Sequence, residues 1–152
     1  MLSDPTLQEA RPFTHDGSTL IWEARGGGDT TFVLVHGIGM GRSVFTPLAE
    51  LLADHGRVIA IDLPGFGEAP EPPRTPTIER LADLVAAFLR ANVVRNPVLI
   101  GHSMGTQVIT EVAARHPERG TRLGLVGPPV EAGRRRALTQ RARPAHDRLD
   151  AS

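Results

Sequence analysis

The sequence predicts an α/β fold, a mixed and mainly parallel sheet with helices on both faces. Short unbroken apolar runs at Thr31–Val35, Val58–Ile61, Val98–Ile100 and Leu123–Val126 read as strands buried on both faces. Between them lie segments with apolar residues at helical spacing, and this alternation describes βαβ units. Asp16-Gly17, between Phe13–His15 and Ser18–Ala24, signals a hairpin and makes the sheet mixed. Six strands are expected, the last four parallel, with strand 123–126 at an exposed edge.

The elements follow in order. Residues 1–11 read as a loose start. Gly26-Gly27-Gly28-Asp29 is a turn before the first parallel strand. Residues 43–54 carry Val44, Phe45, Leu48, Leu51 and Leu52 at helical spacing, with Gly56 expected to cap the helix end. Residues 64–76 hold Pro64, Pro70, Pro72, Pro73 and Pro76 and form a loop. Thr77 with Arg80 is half a capping box, since an acid or glutamine completes that motif. Ile78, Leu81, Ala82, Val85, Phe88 and Leu89 then make one apolar helix face. A helix over 104–115 turns Val108, Ile109, Val112 and Ala113 inward and stops at Pro117. Residues 134–148 have six arginines against Asp147 and no convincing periodicity. The chain therefore divides into a core over 1–133 and an Arg-rich tail over 134–152.

Composition narrows the function classes. The chain has 152 residues, enough for one domain with a core, and formal charge +0 gives no argument for nucleic acid or an anionic membrane. Apolar residues at 40% and charged residues at 22% are ordinary for a globular chain. There is no cysteine, hence no disulfide, thiol nucleophile or thiolate metal site. No metal site or cofactor is expected. The first residues lack a signal-peptide pattern, and no apolar stretch reaches the roughly 20 residues of a membrane span. A cytoplasmic protein is the expectation.

The chemistry lies in three loops at the carboxyl ends of the central strands, the edge where open parallel sheets place ligands. They are His36-Gly37-Ile38-Gly39-Met40-Gly41, Asp62-Leu63-Pro64-Gly65-Phe66-Gly67 and Gly101-His102-Ser103-Met104-Gly105. The third is G-x-S-x-G between a strand and a helix. There the serine sits on a sharp turn that projects its hydroxyl, and only small neighbours fit. Ser103 is the candidate nucleophile; its alternative is a plain turn serine.

With the three motifs in this order over about residues 13–133, the chain resembles the α/β-hydrolase-fold superfamily. The resemblance implies a serine hydrolase acting on an ester or other acyl bond of a small molecule. It implies that the backbone N–H groups of Met104 and Ile38 form an oxyanion hole, and that His36, Gly37, Gly39, Gly101 and Gly105 shape the loops. It also implies an acid and then a histidine after Ser103. Glu131 is a weak acid candidate and His146 a weak base candidate. His116, the other histidine after Ser103, sits where a helix C-terminus favours a cation.

Plainer roles suit the remaining residues. His36 is expected to hold its loop, His102 to pack beside the elbow, and His15 and His55 to lie at the surface or a helix cap. Asp62 is expected to order its loop and Trp22 to pack on the sheet. Arg134–Arg136 form a solvated face or the start of a lid.

Single-domain proteins of this kind run to roughly 250–300 residues. A fold cut after its sixth strand is therefore expected, with little turnover by this chain alone and self-association through the exposed edge. The rival to an active hydrolase is a catalytically inactive fragment or pseudoenzyme of the same fold. A dinucleotide binder is a further alternative, from Val33–Gly41 followed by Asp62. Its third glycine is due at position 42, which is Arg42, and it leaves the serine elbow unexplained.

Overall fold

A computed structural model describes residues 6–119 and 122–127. The strands are β1 (Arg11–His15), β2 (Ser18–Arg25), β3 (Thr31–Val35), β4 (Arg57–Asp62), β5 (Val98–His102) and β6 (Arg122–Val126). The helices are α1 (Thr46–Leu52), α2 (Ile78–Ala91) and α3 (Met104–Arg115), with 3₁₀ turns at Arg42–Phe45 and Pro117–Arg119. The six-stranded sheet has the order β1-β2-β4-β3-β5-β6. The first two strands are antiparallel to their neighbours and the last four run parallel. The expected mixed sheet is therefore the observed one. Asp16 (φ 52°) and Gly17 (φ 82°) turn the first hairpin with both central residues left-handed, as a type I′ turn requires.

The sheet separates two apolar layers. On one face α2 and α3 bury Leu81, Val85, Phe88, Val108, Ile109 and Val112 against Trp22, Val33, Val35 and Ile59. Trp22 packs edge-on to Phe88 at 5.1 Å, in its expected packing role. On the other face Phe45 and Ala49 cover Leu34, Val58 and Ala60. Thr77 caps α2, its hydroxyl accepting the Arg80 N–H at 3.1 Å, so half a capping box suffices.

Three local expectations need correction. The segment 43–54 is not one helix: a 3₁₀ turn precedes α1, whose start is set by Pro47 in the first turn. Its buried stripe runs through Phe45, Leu48, Ala49 and Leu52, while Val44 and Leu51 face solvent. Gly56 does not cap the helix in a left-handed conformation. A β-carbon there would collide with the Thr30 carbonyl, so close chain approach is what excludes a side chain. Finally, Leu123–Val126 does not form a strand buried on both faces. β6 is the edge of the described sheet, with Leu125 50% and Val126 47% exposed.

Candidate active site

The loops after β3, β4 and β5 converge at the carboxyl edge of the parallel strands. Between β5 and α3 stands Ser103, at φ 56° and ψ −118°. A side chain in this region is strained by about 1–3 kcal/mol and persists only where its surroundings enforce it.

Here the enforcement is visible. A β-carbon on Gly101 would strike the Gly105 carbonyl, and one on Gly105 would strike the carbonyl of Val35. The Ser103 N–H donates to the Val126 carbonyl at 3.1 Å. The Ser103 carbonyl accepts the Thr106 N–H at 2.9 Å and the Thr106 hydroxyl at 2.7 Å. The hydroxyl of Ser103 itself makes no hydrogen bond among the described residues.

The loop after β3 lies directly against this turn. A β-carbon on Gly37 would sit 2.8 Å from Cβ of Ser103 and 3.4 Å from the Met104 nitrogen. Gly37 is thus the residue that lets Ile38 come alongside the start of α3. As the first residue of that helix, Met104 has a backbone N–H without an intrahelical partner. Gly39 turns the loop with φ 77°.

Two buried polar side chains fasten the loops after β3 and β4. His36 is fully buried; its Nδ1–H donates to the Gly37 carbonyl at 2.7 Å and its Nε2 accepts the Leu63 N–H at 2.9 Å. Both ring nitrogens are therefore used by a neutral ring. Burial holds its pKa below 6.5, although the Gly37 hydrogen bond and the Asp62 charge act the other way. The two bonds tie His36 to its own loop and to the loop after β4.

Asp62, 1% exposed, accepts the Arg42 N–H at 2.6 Å and the Glu68 N–H at 3.0 Å, and pairs with the Arg42 guanidinium. Arg42 also reaches Glu23 at 2.8 Å and Glu68 at 3.0 Å. Burial opposes its charge, but the hydrogen bonds to Glu23 and Glu68 and the Asp62 charge outweigh that and raise its pKa. The Arg42 network was missed in the sequence. Its only signal is an arginine following the glycine loop, and that points to nothing until β3 and β4 are known to be neighbours.

The remaining histidines lie elsewhere. His116 pairs with Asp83 at 2.8 Å, beyond the far end of α3. A helix over Met104–Arg115 places it about 18 Å from Ser103, so it is not the base in this arrangement. His15 and His55 are exposed. The Nδ1 of His102 is buried without a hydrogen-bond partner among the described residues. Glu131 and His146 lie outside the described residues. Among the described residues no cluster of side chains suits a metal ion, and no helix is long and apolar enough to cross a membrane.

Beside the elbow lies a cavity of about 600 Å³. Ile38 and Met104 line it together with Phe66, Ile78, Leu81 and Gln107.

A six-stranded mixed sheet with a strained serine between its third parallel strand and the following helix defines an α/β architecture of hydrolase type. The chain belongs to the alpha/beta hydrolase fold family, whose sequence profile matches residues 30–148. It is 38% identical over 119 residues to an uncharacterised hydrolase of Bacillus subtilis (strain 168), covering 76% of this chain and 43% of that protein. It is 36% identical over 109 residues to the pimeloyl-[acyl-carrier protein] methyl ester esterase of Vibrio cholerae, covering 70% and 40%. Among solved structures, a thermophilic esterase from Thermogutta terrifontis superposes with TM-score 0.73 at 30% identity, covering 90% of this chain and 54% of that one. Cfl2 from Burkholderia cenocepacia gives TM-score 0.78 at 26% identity, covering 96% and 55%. The chain thus spans less than half the length of these two curated relatives.

Proposed function

We propose that Ser103 is the nucleophile of a hydrolase that cleaves an ester or other acyl bond of a small molecule. The observation that carries this reading is the left-handed backbone of Ser103 (φ 56°), held between β5 and α3 by glycines that admit no side chain. An ordinary turn serine has no need of that strain.

In this reading the Ser103 oxygen attacks the substrate carbonyl carbon and its proton passes to a histidine. The N–H groups of Ile38 and Met104 receive the oxyanion, each worth about 3–4 kcal/mol in the transition state. Collapse expels the alcohol, which takes the proton back, and water then releases the acid by the reverse sequence. Glu131 and His146 are the acid and base candidates on this chain. The esterase relatives support the bond type.

A second reading, a hydrolase-fold chain without acyl transfer, is favoured by one observation. Among the described residues no histidine side chain is hydrogen-bonded to Ser103: His36 bonds Gly37 and Leu63, His116 bonds Asp83, and the serine hydroxyl has no partner.

Hydrolysis of p-nitrophenyl butyrate by the chain, Ser103→Ala and His146→Ala separates the readings. Slow turnover above buffer that Ser103→Ala abolishes supports the nucleophile; a parallel loss in His146→Ala assigns the base. Turnover that survives Ser103→Ala overturns the assignment, and a rate equal to buffer from the outset favours the second reading.

A further inference from the structure

We propose that Thr106 is a positioning residue for the oxyanion hole: its hydroxyl holds the peptide between Ser103 and Met104 in the plane that presents the Met104 N–H beside the serine. This deepens the reading of Ser103 as nucleophile and Met104 as donor, and rests on it.

A peptide unit is planar, so its carbonyl and its N–H turn together. The carbonyl of Ser103 and the N–H of Met104 belong to one such unit, and whatever holds the first aims the second. Thr106 holds it twice, through its N–H at 2.9 Å and its hydroxyl at 2.7 Å, which fills both lone pairs of the oxygen. The peptide before Ser103 is held separately, its N–H donating to the Val126 carbonyl at 3.1 Å. A β-carbon on Gly37 would lie 3.4 Å from the Met104 nitrogen, so that nitrogen sits against the loop carrying Ile38.

A threonine hydroxyl bonded to a carbonyl one turn back is ordinary in a helix. The acceptor makes this one different. α3 begins at Met104, and the opening turn of a helix is short of internal bonds and frays. Ser103 adds strain at that point, with φ 56°. Without the hydroxyl, a single N–H bond would hold this peptide. Thr106 is 3% exposed, so water competes little for its bond, and its branched β-carbon limits rotation. A carbonyl that accepts two hydrogen bonds also polarises its own amide and strengthens the N–H as a donor. Thr110 donates in the same way to the Thr106 carbonyl at 2.7 Å, without touching the Ser103–Met104 peptide, and serves as the control.

The test compares the full chain with Thr106→Val, Thr106→Ser and Thr110→Val. Residual dipolar couplings and backbone relaxation read the direction and order of the Met104 N–H with no substrate present. In Thr106→Val this N–H should turn or lose order while the later amides of α3 keep their values. Thr106→Ala, which removes the hydroxyl and adds no bulk, should act alike. Thr106→Ser should restore the native values, and Thr110→Val should leave them unchanged. Phosphonylation of Ser103 by an alkyl fluorophosphonate should slow about tenfold in Thr106→Val, less than for loss of a whole donor, and recover in Thr106→Ser.

A native Met104 N–H in Thr106→Val and Thr106→Ala, no recovery in Thr106→Ser, or an equal change in Thr110→Val would overturn the proposal. A displaced N–H with a native phosphonylation rate would overturn its bearing on the oxyanion. A native chain that takes no label at Ser103 would instead overturn the reading of the nucleophile, while the N–H data still decide whether Thr106 sets this peptide.

Discussion

The carboxylate of Asp62 accepts the backbone N–H of Arg42 at 2.6 Å and pairs with the guanidinium of the same residue. One buried acid thereby ties the loop after β3 to the loop after β4, and with it the approach of Ile38 to Ser103. Asp62→Ala leaves Arg42 partly buried with only Glu23 and Glu68 as partners. Breaking such a pair costs about 3 kcal/mol. Urea denaturation should show that loss, and a change below 1 kcal/mol would mean the clasp is dispensable.

Ser103→Gly should raise stability while removing the hydroxyl. Glycine tolerates φ 56°, so the strain at this turn is relieved; its greater unfolded-state entropy offsets part of the gain. The expected net is about 1 kcal/mol. A less stable variant in urea melts would show that the turn is not strained.

Gly105→Ala tests the opposite case. The added carbon would collide with the Val35 carbonyl and lie 2.8 Å from that of His36. Neither backbone atom can yield without shifting β3, so a loss of about 3 kcal/mol is expected. Wild-type stability would show that the packing of α3 against β3 is looser than described.

These close approaches mark where the sequence was legible. Each of the three motif loops is local in sequence, so its position at a strand end was legible from spacing. The helix over 78–91 was equally clear, because its apolar face is continuous and Thr77 caps it. What failed depended on the third dimension. Val44 and Leu51 fit a helical period yet face solvent, because the period did not show which stripe meets the sheet. Gly56 looked like a cap but is required by the neighbouring Thr30 carbonyl. The partners of Arg42 lie on β2 and in the loop after β4, contacts that only the strand order creates.

The buried His36 predicts a pH dependence. Its pKa is lowered in the fold, chiefly by burial, while the unfolded ring titrates near 6.5. The unfolded chain therefore binds the proton first. Stability is full above pH 6.5 and declines as pH falls toward the folded value, by at most about 1.4 kcal/mol per pH unit. Asp83, held below its ordinary value chiefly by the Arg115 hydrogen bond, acts only nearer pH 4. Urea melts between pH 7.5 and 5 should show the decline, and His36→Gln should flatten it. An equal slope in the variant would assign the effect elsewhere.

β6 presents Leu123, Leu125 and Val126 on an edge that is unpaired among the described residues. Such edges pair with other chains. The chain should self-associate at high concentration, and Leu125→Lys should reduce this in light scattering. A monodisperse native monomer would contradict it.

Covalent trapping tests whether Ser103 is a nucleophile. The chain contains no lysine, cysteine or tyrosine, so few side chains compete for an acylating or phosphonylating reagent. After prolonged incubation with an alkyl fluorophosphonate and proteolysis, mass spectrometry should find one adduct, on the peptide carrying Ser103, and none in Ser103→Ala. An unmodified Ser103, or an adduct that persists in Ser103→Ala, would show that Ser103 is not the nucleophile.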